Sequence, residues 1–257
     1  DLFTQELRRS ATTRACIFAT LHREATEILM RKLDESGLRT YVGKVNMDRN
    51  SPDDLREASA AASLDDTRRW LDEVGGLTNC KPILTPRFTP SCTDELMAGL
   101  GDLQQQTGLP VQSHLSENQG EIDWVRELCP NTADYGEAYS QFGLFGENGP
   151  CIMAHCVHCT DHEIDAMRQN GVFVAHCPQS NTNLASGIAP VRRYLKDGLR
   201  IGLGTDVAGG AHLSVFRALT DAVAVSKLRW RLADQSLTPL TFAEAFFLAT
   251  RGGGAFF

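Results

Sequence analysis

Short apolar runs alternate with amphipathic stretches along most of the chain. The apolar runs are about five to eight residues long and rich in β-branched side chains, which is typical of buried strands, whereas the stretches between them carry apolar residues at helical spacing. This pattern predicts strands over 15–20, 40–45, 81–88, 110–114, 150–155, 171–176 and 199–205. It predicts helices over 23–36, 52–74, 92–107, 121–129, 161–170, 190–197 and 213–233, with a helical insertion over 133–145.

Glycines at positions 37, 108, 171 and 198 stand at or just beyond the ends of four of these elements, where a left-handed helix C-cap is favoured. Strands that alternate with helices indicate βαβ units and a parallel sheet, as found in doubly wound sheets and in (β/α)8 barrels. No glycine-rich phosphate loop follows the first strand, which argues against a dinucleotide-binding fold. Seven strands before the last helices fit a barrel that lacks one strand.

The amino-acid composition further limits the kind of protein this chain can be. The 257 residues are 42% hydrophobic, which is enough for one large α/β domain or two small ones. A net charge of −7 without any basic run argues against nucleic-acid binding. No apolar stretch approaches the ~18 residues that indicate a membrane span. Eight cysteines at irregular spacing favour free thiols in a reducing cytoplasm over a secreted disulfide framework.

Four side chains suited to metal binding or proton transfer stand where predicted strands give way to polar residues. These are His114, Glu117, His155 and Asp206. Both candidate architectures place their active sites at the carboxyl ends of the strands, so we expect these side chains to lie near one another. Imidazole and carboxylate groups are ligands that zinc prefers, and metal-assisted hydrolysis also needs a carboxylic acid that moves protons.

Each of these residues also has a purely structural interpretation. Pairs spaced like His114 and Glu117 are common in surface turns, and a lone histidine at the end of an apolar strand, such as His155, is commonly a hydrogen-bonded core residue. Asp206 could cap a helix, but the next predicted helix begins several residues later. Because a buried carboxylate is costly unless it is paired or bound to a metal, a functional role is favoured for Asp206.

Two other strand-end segments carry polar or aromatic groups. Arg87 and Phe88 offer a guanidinium fork and an aromatic face, which suit a planar ligand that bears a carbonyl, although Arg87 could equally be an exposed loop residue. His176 and Asn181 follow a later strand and are expected to shape the rim of the site rather than to bind a metal.

A cysteine-rich segment gives a competing metal site. Cys156, His158 and Cys159, with His162, resemble a small structural zinc knot. We regard this site as the lesser alternative to the strand-end set.

Together the strand-end segments resemble the amidohydrolase superfamily, and closely its guanine deaminase family. The resemblance extends over nearly the whole chain. The matching stretches are 12–20, 41–48, 81–88, 112–118, 153–156, 175–181 and 201–210. Arg87-Phe88 and the run Gly-Thr-Asp-Val-Ala-Gly-Gly over 204–210 narrow the resemblance to guanine deaminases.

The resemblance implies a distorted (β/α)8 barrel with one zinc ion, which deaminates guanine hydrolytically to xanthine and ammonia. In this family, His114 and Asp206 match zinc ligands, and Glu117 matches the proton shuttle. His155 matches a residue that contacts the attacking water, so the catalytic set would be Glu117, His155 and Asp206. The resemblance also suggests a homodimer. The purine would be bound by Arg87, Phe88, His114, Glu117 and Asp206.

The sequence departs from the family pattern at the zinc ligands. Family members carry a His-x-His pair after the first strand and a small β-sandwich built from both termini. Histidines occur here only at 22, 114, 155, 158, 162, 176 and 212, so His-x-His is absent. We therefore expect residues 1–257 to form a single, incomplete barrel that lacks its first strand and the flanking β-sandwich. We expect it to bind zinc weakly or not at all. The alternatives are a related amidohydrolase acting on another purine or a triazine, and a non-catalytic chain that binds a purine or a partner.

Overall fold

The computed structural model describes residues 1–257, and its framework is a set of parallel strands joined by helices. The strands are β1 (Arg14–Phe18), β2 (Arg39–Gly43), β3 (Val45–Asn46), β4 (Cys80–Pro82), β5 (Thr85–Pro86), β6 (Val111–Leu115), β7 (Cys151–His155), β8 (Phe173–His176) and β9 (Arg200–Leu203). The helices are α1 (Leu2–Arg9), α2 (Arg23–Glu35), α3 (Ala60–Val74), α4 (Asp94–Thr107), α5 (Gln119–Leu128), α6 (Tyr135–Ser140), α7 (Asp161–Asn170), α8 (Pro178–Asn183), α9 (Val191–Lys196), α10 (Val215–Leu232) and α11 (Phe242–Phe247).

The strands follow one another around the sheet in chain order. The hydrogen-bonded orders are β1-β2-β4, β3-β5 and β6-β7-β8-β9, all of them parallel. Only Lys44 separates β2 from β3, and β4 and β5 are similarly close, so each pair is one interrupted strand. An isolated bridge between Leu84 and Val111 joins this part to β6. The seven predicted strands and the barrel-type α/β architecture are thereby confirmed.

The sheet has two free edges that face a common cavity. β1 pairs only with β2, and β9 pairs only with β8. A cavity of about 930 Å³ is lined by residues of both edge strands, including Ile17, Phe18 and Leu203. The barrel is therefore open between β1 and β9.

Local sequence signals explain most element boundaries. Thr160 begins α7 with a capping box, because its hydroxyl accepts from the Glu163 amide while the Glu163 carboxylate accepts from the Thr160 amide. Gly108 and Gly171 end α4 and α7 with φ of 68° and 69°, a left-handed conformation that glycine adopts without a Cβ clash. These C-caps are as predicted.

Three predicted elements differ from the structure. The helix predicted over 52–74 begins at Ala60, because Ser59 caps it by accepting from the Ala62 amide, and 53–55 form only a short 3-10 turn. The helix predicted over 133–145 is only α6, which ends at Ser140 and is followed by turns. The strand predicted over 81–88 is interrupted at Ile83 and Leu84, where the chain changes its partner. The Ile83 amide donates to the Val42 carbonyl, whereas the Leu84 amide donates to the Pro110 carbonyl.

Two apolar clusters hold the layers together. A cluster of 32 buried residues lies between β6–β9 and the helices that cover them, and a cluster of 7 lies between α2, α3 and the strands β2 and β4. The second is centred on Trp70, Met30 and Val42, all fully buried. All eight cysteines are free. None of the helices combines the length and apolar character that crossing a membrane requires.

Candidate active site at the carboxyl ends of the strands

The ends of β6, β7 and β9 bring four of the candidate residues together. The rings of His114 and His155 stack with centroids 5.4 Å apart and planes at 17°. Glu117 Oε1 lies 3.7 Å from Nδ1 of His155, and Asp206 Oδ2 lies 3.9 Å from its Nε2. His155, which is buried, therefore stands at the centre of the group.

The backbone around these side chains is unusual. Ser116, His155, Cys156 and Asp206 have φ of 46°, 73°, 49° and 46°, although none of them is glycine. This left-handed region costs a non-glycine residue roughly 1–3 kcal/mol, and such residues cluster at functional sites, where the surrounding structure holds them. Four of the seven non-glycine residues with positive φ lie at this one rim.

His114 is held as a neutral imidazole with one nitrogen available. Its Nδ1 lies 2.6 Å from the carbonyl oxygen of Arg87, which can only accept, so Nδ1 carries the proton. Burial, and next the neighbouring His155, lower the pKa of His114 to about 4. The Nε2 lone pair is therefore free to bind a metal.

His155 is oriented in the same manner by an amide. Its Nδ1 lies 2.8 Å from Oδ1 of Asn181. When Nδ1 donates to that oxygen, Nε2 keeps its lone pair on the side of Asp206. Asn181, expected only at the rim, thus contacts a central residue of the site. His176 is buried, and its Nδ1 has no hydrogen-bond partner.

The two carboxylates differ in their surroundings. The Glu117 side chain is 13% exposed, and its Oε1 accepts a 2.8 Å hydrogen bond from the hydroxyl of Ser186. The Asp206 side chain is 35% exposed and faces the cavity between β1 and β9. Gly209 passes so close to Asp206 that a Cβ there would lie 3.0 Å from Oδ2, which agrees with the close approach that a glycine permits.

Arg87 and Phe88 lie beside this group, directly after β5. The guanidinium carbon of Arg87 lies 5.0 Å from the centroid of the Phe88 ring, and that ring lies 6.3 Å from the His114 ring. Arg87 is exposed and makes no ion pair, so its N–H groups are free for a ligand. Trp124 of α5 packs edge-on against Phe88 with centroids 6.1 Å apart.

Tyr139 fixes the loop of Arg87 against β6. The hydroxyl of Tyr139 donates to the carbonyl of His114 at 2.8 Å, accepts from the Thr89 amide at 3.3 Å and lies 2.8 Å from the Ser113 hydroxyl. Tyr139 was not predicted from the sequence, because it lies within α6 rather than at a strand end and its partners are 25 or more positions away in the chain.

The residues of the alternative zinc knot do not converge. His158 Nε2 lies 2.7 Å from the carbonyl oxygen of Ser186, and His162 Nδ1 lies 2.8 Å from Asp134. No group of three or more histidine, cysteine, aspartate or glutamate side chains is arranged to hold a metal. Among the strand-end residues, His114 and Asp206 offer a zinc ion two donors of the required kind. Since catalytic zinc keeps about three protein ligands, these residues fit part of a zinc site.

Comparison with known proteins identifies the family. The Amidohydrolase family matches residues 1–257. The guanine deaminase of Dictyostelium discoideum is 43% identical over 247 residues, which are 95% of this chain and 54% of that protein. The probable guanine deaminase of Schizosaccharomyces pombe is 40% identical over 249 residues, which are 95% of this chain and 47% of that protein. This chain therefore spans about half the length of these curated relatives.

A solved structure agrees with the sequence comparison. The guanine deaminase from C. acetobutylicum with bound guanine in the active site superposes with a TM-score of 0.96 at 45% identity. The match covers 99% of this chain and 61% of that one. The chain belongs to the amidohydrolase family and is similar to its guanine deaminases over nearly its whole length.

Proposed function

We propose that the protein containing these residues deaminates guanine hydrolytically to xanthine and ammonia. The observation that carries the proposal is the grouping of Glu117, His155 and Asp206 at one rim, beside Arg87 and Phe88. The similarity to a guanine deaminase with bound guanine supports the same substrate.

Each side chain of the site has a separate role in the proposed reaction. Phe88 packs on the purine ring and Arg87 donates to its carbonyl oxygen. Glu117 protonates a ring nitrogen, which makes C2 more electrophilic, while His155 and Asp206 orient the attacking water and favour loss of its proton. Glu117 then takes up that proton and delivers it to the amino group. The bond between C2 and the amino nitrogen breaks and ammonia leaves. The proton that remains on the new C2 oxygen returns to Glu117 as the carbonyl of xanthine forms, which restores the acid.

Zinc is the cofactor we propose, with His114 and Asp206 among its ligands. When bound, zinc lowers the pKa of a coordinated water toward ~7. Two donors are fewer than a catalytic zinc site keeps. We propose that the remaining ligands come from a further strand that fills the cavity between β1 and β9, and that residues 1–257 alone, a single incomplete barrel, bind zinc weakly or not at all.

The test compares the 257-residue chain with a chain extended at its amino end by a synthetic strand that carries His-x-His. We expect less than one zinc per molecule and no xanthine from the first, and one zinc with xanthine formation from the second. Robust guanine turnover by the 257-residue chain would contradict the proposal that its zinc site is incomplete. If the zinc-loaded extended chain does not deaminate guanine, the proposal that guanine is the substrate is wrong.

Two alternatives are outcomes of the same test. Turnover of 8-oxoguanine, an adenosine derivative or a triazine in place of guanine would indicate a related amidohydrolase. The incomplete zinc donor set favours a non-catalytic chain that binds a purine, which predicts guanine binding without turnover even in the zinc-loaded extended chain. We also propose a homodimer in the cytoplasm, which the family resemblance and the eight free thiols favour.

A further inference from the structure

The carboxylate of Glu117 has one hydrogen bond to protein, and that bond comes from a residue with no assigned role. The Ser186 hydroxyl donates to Oε1 at 2.8 Å, and Ser186 is 5% exposed. The ring nitrogen Nδ1 of His155 is 3.7 Å away and is already directed at Asn181. Ser186 therefore holds Oε1, and Oε2 remains free for the substrate.

Ser186 is itself held in one position. Its amide donates to the Asn181 carbonyl at 2.8 Å, and its carbonyl accepts from His158 Nε2 at 2.7 Å. The residues on either side, Ala185 and Gly187, have φ of 57° and 126°. A Cβ at Gly187 would lie 3.1 Å from Val157 and 3.3 Å from His158, so the turn packs closely on the loop after β7.

The segment 181–187 thus contacts both proton-handling residues of the site. Asn181 orients His155 through its side chain, and Ser186 orients Glu117 through its hydroxyl, while His158 links the segment to the loop after β7. A carboxylate that gives a proton to a ring nitrogen and later to an amino group must present the same oxygen twice, and displacement by about 1 Å can cost ~100-fold in rate.

We propose that Ser186 is a positioning residue for Glu117, and that His158 holds Ser186 in place. This inference rests on the proposed deaminase function. With the hydroxyl donating to Oε1, the transferred proton leaves from and returns to Oε2. The Oε2–H bond breaks as the bond from hydrogen to the ring nitrogen forms, and the Ser186 hydrogen bond to Oε1 stays in place throughout.

The kinetic test uses the zinc-loaded extended chain. We expect Ser186→Ala to lower kcat for guanine by about 10- to 100-fold with KM nearly unchanged, since the variant displaces the shuttle rather than the purine contacts. Ser186→Thr keeps a hydroxyl and should recover most of the loss. The exposed His158, changed to Ala, should lower kcat in the same direction but less. Ser140→Ala, which removes a serine-to-glutamate hydrogen bond to Glu147, is the matched control and should leave kcat unchanged.

A second readout needs neither zinc nor turnover. In the metal-free 257-residue chain, the side-chain carboxyl 13C resonance of Glu117, assigned with Glu117→Gln, should shift in Ser186→Ala and not in Ser140→Ala. An unshifted resonance, or an unchanged kcat in Ser186→Ala, would overturn the positioning role. A shifted resonance, together with a zinc-loaded extended chain that forms no xanthine, would leave the contact in place and overturn the deaminase function instead.

Discussion

Two clusters of polar side chains in this chain differ in how their atoms are paired. In the first, the fully buried Lys44 lies 2.5 Å from Glu57, whose other oxygen accepts from the Met47 amide at 3.0 Å and the Ser63 hydroxyl at 2.5 Å. Asn46 then donates to the Ser63 hydroxyl at 2.8 Å. The charged groups of this cluster are paired within the protein, and the one buried atom of Asn46 without a partner is the neutral amide oxygen Oδ1.

In the strand-end cluster, which we call the open cluster, several polar atoms have no hydrogen-bond partner. The His155 Nε2 to Asp206 distance of 3.9 Å is too long for a hydrogen bond, His114 uses only Nδ1, and the amide nitrogen of Asn181 has no partner. Buried polar atoms without partners are costly in a fold but useful to a ligand. We infer that the Lys44 cluster stabilises the barrel, and we propose that the strand-end cluster serves binding and chemistry.

The largest effect on stability should come from removing the cation of the Lys44 cluster. Lys44→Met leaves the Glu57 carboxylate buried without its cation, so we expect the free energy of unfolding to fall by about 3–5 kcal/mol. Urea unfolding of the 257-residue chain measures it. Lys32→Met is the control, because the Lys32–Glu35 pair is exposed and should contribute less than about 1 kcal/mol. Equal effects of the two substitutions would contradict the distinction drawn here.

A pH effect should come from Glu121, which lies near the open cluster but takes no part in it. Burial, with a smaller contribution from the negative charge of Glu117, raises the pKa of Glu121 to about 7. The hydrogen bond that Tyr135 of α6 donates to the carboxylate at 2.7 Å and the positive charge of Arg87 act in the opposite direction. Between pH 4.5, its ordinary pKa, and about 7, the folded chain holds a proton that the unfolded chain has released. The free energy of unfolding therefore falls as pH rises through this window.

Glu121→Gln should remove this pH dependence. We expect it to raise the free energy of unfolding at pH 8 by on the order of 2–3 kcal/mol, with little change near pH 4.5. Urea unfolding across this pH range gives the comparison. A Glu121→Gln effect of the same size at both pH values would show that the folded chain does not retain this proton.

A smaller effect should come from the hydroxyl that ties the Arg87 loop to β6. Tyr139→Phe keeps the ring but leaves the buried Thr89 amide without this acceptor, so we expect a loss of about 1–3 kcal/mol in the free energy of unfolding. Tyr41→Phe is the control, since Tyr41 packs through its ring against Phe256 and should change stability by less than about 0.5 kcal/mol. Equal thermal unfolding of the two variants would contradict the role of the Tyr139 hydroxyl.

The sequence predicted the parallel strands well, because apolar runs and glycine C-caps are local signals. The sequence did not predict elements whose local signals conflict or are weak. Ser59 caps α3, which begins at Ala60, eight residues after the predicted start at 52. α8 was not predicted, because Pro178–Asn183 has no apolar periodicity. At the site, strand ends pointed to His114, Glu117, His155 and Asp206. Ser186 contacts Glu117 from 69 residues away, which no local pattern encodes.

Glu117→Gln in the zinc-loaded extended chain distinguishes a role of the strand-end cluster in chemistry from a role in stability. Guanine-to-xanthine conversion and urea unfolding should be measured on the same protein. We expect kcat to fall roughly 100- to 10,000-fold, the range of general acid–base catalysis, with the free energy of unfolding unchanged or slightly raised. An unchanged kcat, or a loss of stability as large as that of Lys44→Met, would contradict this expectation.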